Sequence, residues 1–152
     1  MRGFRIRALG EIAIRCNDLV AMVAFYEDLL GLERMSGSPC EGIVFFRIAE
    51  GFGGHTSVLA LFDRAMSGRP GLHPTGEDPP QTGDRSSLHH IALSLPYAEQ
   101  EAAMAWYEAR SQSYRVELFG WIGWRGVFTE DPEGNTVELV AYDADLLDKH
   151  PD

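Results

Sequence analysis

The sequence predicts an α+β protein of two βαβββ modules, their strands forming a curved mixed sheet around a cleft with the helices on the outside. Three observations predict it. The chain echoes itself at a spacing of about 80 residues, each half runs strand, helix, strand, strand, strand, and a Gly/Pro-rich stretch separates the halves.

The echo has three parts in the same order. Leu9-Gly10-Glu11-Ile12-Ala13-Ile14 returns as Leu88-His89-His90-Ile91-Ala92-Leu93, and Phe25-Tyr26 returns as Trp106-Tyr107. Val58-Leu59-Ala60-Leu61-Phe62-Asp63 returns loosely as Glu138-Leu139-Val140-Ala141-Tyr142-Asp143. This sets one domain over 1–152, with modules over 9–63 and 88–143, a connector over 64–87 and a tail over 144–152.

In the first module Ile12-Ala13-Ile14 reads as a strand. Asn17-Asp18 offers a helix N-cap, because a short side-chain oxygen accepts from the free amides of a first turn. Leu19, Met22, Val23, Tyr26 and Leu30 follow at helical spacing as one apolar stripe. Gly31 ends that helix, since it enters the left-handed conformation at no steric cost. Strands are expected over Leu32–Met35, Ile43–Ala49 and Thr56–Phe62.

The second module opens with a strand over His90–Leu95, and Pro96 suits a first helical turn. Ala98, Ala102, Ala105, Trp106 and Ala109 mark the helix. Strands over Tyr114–Phe119, Trp124–Thr129 and Thr136–Tyr142 complete it. Asp131-Pro132-Glu133-Gly134-Asn135 joins the last two as a hairpin, Pro132 fixing φ and Gly134 supplying a positive one.

Composition narrows the function classes. The net charge is −10, from 23 acidic and 13 basic residues, so the surface repels phosphate backbones and excludes nucleic acid as a partner. No apolar run approaches the roughly 20 residues of a membrane helix, and the start lacks a secretory apolar stretch. A cytoplasmic protein without a membrane partner is expected. Cys16 and Cys40 have no CxxC spacing and read as reduced thiols. The long connector lets the modules pair within one chain or exchange with a second copy, so a homodimer is expected.

Strand parity sets which side chains converge. With Ile12, Ile14 and Cys16 under the helix, Glu11, Ala13 and Arg15 face the other way. With Ile91, Leu93 and Leu95 under the second helix, His90, Ala92 and Ser94 face the other way. In the last strand Thr136, Glu138, Val140 and Tyr142 share a face, and Glu138 is its one charge. Two carboxylates and an imidazole around one cleft suit a divalent metal ion (Fe, Mn, Ni or Zn), with positions left open for substrate. The bland alternative is a hydrogen-bonded core histidine and two solvated or arginine-paired glutamates, with Arg15 and Arg125 at hand.

Around these residues Phe45, Phe46, Arg47, Phe119, Trp121, Trp124, Arg125 and Phe128 are expected at the mouth of the cleft. An apolar wall with a few charges is how a small-molecule site is built, and Arg47 and Arg125 present two-donor forks for a carboxylate or phosphate. The expected ligand contacts are Arg15, Phe45, Arg47, Trp121, Trp124, Arg125 and Phe128.

The run from Glu11 through Asn17-Asp18-Leu19 to Phe25-Tyr26-Glu27-Asp28-Leu29-Leu30-Gly31-Leu32 resembles the opening strand and helix of the vicinal oxygen chelate superfamily, which includes glyoxalases, extradiol dioxygenases and bleomycin resistance proteins. Leu88-His89-His90-Ile91-Ala92-Leu93 resembles its second-module opening. Phe128-Thr129-Glu130-Asp131-Pro132-Glu133-Gly134-Asn135-Thr136-Val137-Glu138-Leu139 resembles its closing hairpin and is the most specific signal. The resemblance implies metal ligands at His90 and Glu138, with Glu11 in a slot that usually holds histidine or glutamine. The remaining slot, near Val58 or Ala60, is apolar, so the chain departs from the four-ligand glyoxalase pattern. It is nearer the three-ligand arrangement of dioxygenases, with Glu in place of His.

The resemblance thus implies a glyoxalase- or dioxygenase-like enzyme acting on a small molecule that chelates a divalent metal through vicinal oxygens. The alternative is a metal-free small-molecule or antibiotic binding protein of the bleomycin-resistance type.

Overall fold

The computed structural model describes residues 7–51, 53–66 and 88–148. The chain divides into two compact units, Met1–Pro80 and Gln81–Asp152. Most of the expected connector, 67–87, lies outside the described residues.

The first unit opens with strand β1, Glu11–Cys16, and helix α1, Leu19–Ala24, which continues as a wider π-type turn over Phe25–Leu29. Of the two cap candidates, Asp18 takes the role: its Oδ1 accepts from the Ala21 amide at 3.0 Å. The apolar stripe is buried as expected at Leu19, Met22, Val23 and Tyr26, and Gly31 ends the helix at φ +74°. Each such side chain contributes about 1.5–3 kcal/mol by leaving water. Strands β2 (Glu33–Ser38), β3 (Ile43–Ala49) and β4 (Ser57–Asp63) follow. The sheet runs β1-β4-β3-β2, with β1 and β4 parallel and the other pairs antiparallel. Cys16 is buried and Cys40 exposed, both as free thiols.

The second unit repeats this order. Strand β5 is Ile91–Ser94, and a short 3-10 turn, Tyr97–Glu99, leads from Pro96 into α2, Gln100–Ala109. Strands β6 (Arg115–Phe119), β7 (Trp124–Glu130) and β8 (Thr136–Tyr142) complete a sheet of order β5-β8-β7-β6, again with one parallel pair, β5 and β8. The echo holds in packing: Tyr26 and Tyr107 are both fully buried, each one place after an aromatic residue.

The second helix forms over the residues that mark it, but they are not its buried face. Ala98, Ala102, Ala105, Trp106 and Ala109 are exposed, and the buried positions of this helix are Gln100 and Tyr107, two turns apart. Gln100 fixes that phase because its amide nitrogen donates to the carbonyls of Arg125, at 2.8 Å, and Leu139, at 3.0 Å. A buried amide so well matched outweighs the weak preference of small alanines for the core.

The hairpin between β7 and β8 forms around Asp131. Its Oδ1 accepts from the amides of Glu133 and Asn135, its Oδ2 accepts from the Asn135 side chain, and Gly134 sits at φ +81°. This turn locks the β7–β8 register, in which Phe128 stands across from Glu138.

Candidate metal and ligand site

Alternation along β8 sends Val137 and Ala141 into the core and turns Glu138 to the other face, beside Ala92 on β5 and Phe128 on β7. His90 immediately precedes β5. Its Nε2 lies 3.1 Å from Glu138 Oε2, so the second unit brings the two residues together. Glu138 is only 5% exposed. Burial pushes its carboxyl above the usual range, the neighbouring His90 pulls it back, and the Glu117 carboxylate adds to the rise.

Phe128 stands edge-on to the His90 ring with centroids 6.2 Å apart, and Phe119 stands edge-on to Phe128 at 6.4 Å. The site opens into a cleft of about 1570 Å³ within the second unit, walled by Phe119, Trp121, Trp124 and Phe128. Trp121 is 75% exposed and Trp124 43%, a large aromatic surface left to water. An ion pair between Arg115 and Glu117 sits in the same wall.

In the first unit the register places Glu11, Val58, Arg47 and Glu33 in one row across the sheet. The next rows hold Ala13, Ala60 and Phe45, then Arg15, Phe62 and Ile43. Glu11, Arg15, Phe45 and Arg47 therefore share a face, and the Phe45 and Phe62 rings meet on it at 6.2 Å. Phe46, expected at the mouth, points the other way and is fully buried in the core.

Arg125 is also corrected as a ligand contact. It stands across from Ala141 and Leu118, on the face opposite Glu138. There its Nε donates to Gln100 Oε1 at 2.6 Å, its Nη1 donates to Glu101 at 3.0 Å, and its guanidinium lies over the Tyr97 ring. This arginine ties α2 to β7 and has no side toward the cleft.

His89 was not singled out by its sequence pattern. Its Nδ1 lies 2.7 Å from His90 Nδ1, and the two rings meet edge-to-face at 5.0 Å.

Imidazole nitrogen and carboxylate oxygen are both good donors to a divalent ion. At 3.1 Å the His90 nitrogen and the Glu138 oxygen are close enough to serve one ion, and equally close enough to bond each other directly. Among the described residues no three His, Cys, Asp or Glu side chains form a ready metal cluster. The pair belongs to the second unit, and Glu11 to the first.

Comparison with known proteins gives a consistent picture. Residues 8–139 match the family model described as the Glyoxalase/Bleomycin resistance protein/Dioxygenase superfamily. No curated protein matches the chain. Among solved structures, a lactoylglutathione lyase from Agrobacterium tumefaciens is 26% identical with a TM-score of 0.62, over 90% of this chain and 95% of that one. A glyoxalase/dioxygenase from Nostoc punctiforme is 21% identical with a TM-score of 0.62, over 90% and 92%. A genomically encoded fosfomycin resistance protein from Listeria monocytogenes is 16% identical with a TM-score of 0.59, over 93% and 98%. With the family model spanning nearly both modules, and with β-strand order and closing hairpin in accord, the chain belongs to the glyoxalase/bleomycin resistance protein/dioxygenase superfamily.

Proposed function

We propose that this protein is a divalent-metal-dependent enzyme acting on a small molecule that chelates through neighbouring oxygens. His90 and Glu138 of the second unit would hold the ion. When bound, it would supply Lewis-acid polarisation of the substrate oxygens. The observation that carries the reading is the buried Glu138 carboxylate set 3.1 Å from His90 Nε2. An anion held out of water is costly, and a cation beside it offsets that cost.

The remaining residues bind and orient. Phe128, Trp121 and Trp124 give flat apolar surface for the substrate body and exclude water near Glu138. In the first unit Arg47 and Arg15, on the Glu11 face with Phe45, would offer guanidinium forks to an anionic group.

Metal analysis of protein purified without chelators tests the proposal. Stoichiometric metal is expected in the wild type and its loss in His90→Ala and Glu138→Gln; negligible metal in all three rejects it. A substrate screen over 2-oxoaldehydes, catechols, acyl thioesters and thiol-reactive antibiotics then assigns the reaction. A second reading, a metal-free binder of small organic molecules, is favoured by one observation. His90 Nε2, the nitrogen that would bind the ion, already faces an acceptor, Glu138 Oε2, at 3.1 Å. The same metal analysis decides between the two.

A further inference from the structure

We infer that His89 is a positioning residue, which fixes the tautomer and orientation of His90 so that Nε2 is presented to the ion; this rests on the metal-site reading above. The argument begins with proton counting. Two imidazole nitrogens 2.7 Å apart share one hydrogen bond, in which one carries the proton and the other accepts it. A neutral imidazole has one proton, so whichever nitrogen holds it leaves the other with the free lone pair. The partner of one nitrogen therefore decides what the other can do.

As the residues stand, His90 Nε2 lies within hydrogen-bond distance of Glu138 Oε2, and an ion beside Glu138 would displace the proton from that nitrogen. For His90 Nε2 to donate its lone pair beside Glu138, the ring's proton must reside on Nδ1. His90 Nδ1–H then donates to His89 Nδ1, and His89 carries its own proton on Nε2. The ring is also held from the side, since Phe128 stands edge-on to it. Torsion of the His90 side chain is thereby opposed by a hydrogen bond at Nδ1 and an aromatic contact with Phe128.

His89 has little else to do. It is exposed, and among the described residues its ring makes no other hydrogen bond. Its removal should therefore cost folding stability little, and what it does is done through His90. Its counterpart in the first module is Gly10, so only the second opening strand carries such a neighbour.

The test uses Zn(II) alone, titrated calorimetrically into the full chain after chelator stripping, for wild type, His89→Ala, His89→Phe and His89→Asn. The Ala and Phe variants should bind Zn(II) about 10- to 100-fold more weakly, as for other lost partners of metal-bound histidines. His89→Asn, whose amide oxygen accepts where Nδ1 did, should restore most of the affinity. A merely structural role would not move a second readout, the imidazole N–H proton of Zn(II)-loaded His90. It should be seen by NMR in wild type and His89→Asn and be lost to solvent exchange in Ala and Phe. Equal affinity and a retained proton signal in all variants would overturn the role of His89 alone. No Zn(II) uptake by the wild type would overturn the metal site and this inference together.

Discussion

The Glu138 carboxylate lies against bare backbone at Gly126: a β-carbon built there would stand 2.5 Å from Glu138 Oε1 and 2.5 Å from Phe128 Cε2. Gly126 is across from Val140 on β8, one pleat along from the Phe128–Glu138 pair. Its backbone is not in the left-handed region, so only space demands a glycine. Gly126→Ala should cost about 1–3 kcal/mol by overpacking and push Glu138 off His90, abolishing metal uptake. Gly31→Ala is the control. It sits at φ +74° with open space around it, outside the β7–β8 turn, so it should cost about 1–2 kcal/mol and leave metal uptake intact. Urea unfolding and metal content check both; a metal-replete Gly126→Ala would refute the steric argument.

Asp131 should be the most sensitive residue of the closing hairpin. It is 4% exposed and accepts from two backbone amides and one side-chain amide of the same turn. Asp131→Ala leaves those donors short, and a loss of about 2–4 kcal/mol is expected. Asp131→Asn keeps one acceptor oxygen and should fall between. Because the turn sets the Phe128–Glu138 register, metal affinity should fall with stability across the pair.

Much of this was legible from alternation alone. Strand parity faces Glu138 and His90 the same way, and they meet. Turn chemistry found the Asp131 hairpin, and spacing found the first helix. What was not legible has physical reasons. Trp124 and Arg125 are neighbours in one strand and cannot share a face, so grouping them as cleft residues overran the parity rule that located Glu138. In α2 the alanines carried no phase information, and the residue that sets the phase is a polar one, Gln100. His89 escaped because it precedes β5, where successive side chains need not alternate, and so its ring reaches its neighbour's.

The corrected role of Arg125 is itself testable. Gln100 and Arg125 bond each other and together span α2, β7 and β8. Gln100→Ala would strip two buried carbonyls and a guanidinium of a partner, an expected loss of about 2–4 kcal/mol. Arg125→Lys should recover little, because an ammonium lacks the planar fork that reaches Gln100 and Glu101 at once. Neither variant should alter metal affinity at temperatures where it is folded. A folded Arg125→Lys with weakened metal or ligand binding would put Arg125 back in the cleft.

Tyr107 gives an alkaline signature. Its ring is 1% exposed and packs near Tyr114, while its hydroxyl is buried with no hydrogen-bond partner among the described residues. Burial pushes the phenol up from 10.0 to about 12. The folded state therefore binds this proton more tightly than the unfolded chain does. Its contribution is fully present below pH 10 and is lost as pH rises from 10 to 12, where the unfolded phenol ionises first. Tyr107→Phe keeps the ring and deletes the unsatisfied hydroxyl. It should unfold at a slightly higher urea midpoint at neutral pH, by about 1 kcal/mol. Between pH 10 and 12 its advantage over wild type should widen by up to about 2 kcal/mol. Taking the difference between the two proteins cancels the titration of every other group they share. A constant difference from pH 7 to 12 would show that Tyr107 ionises at the same pH folded and unfolded, and hence that its hydroxyl reaches water.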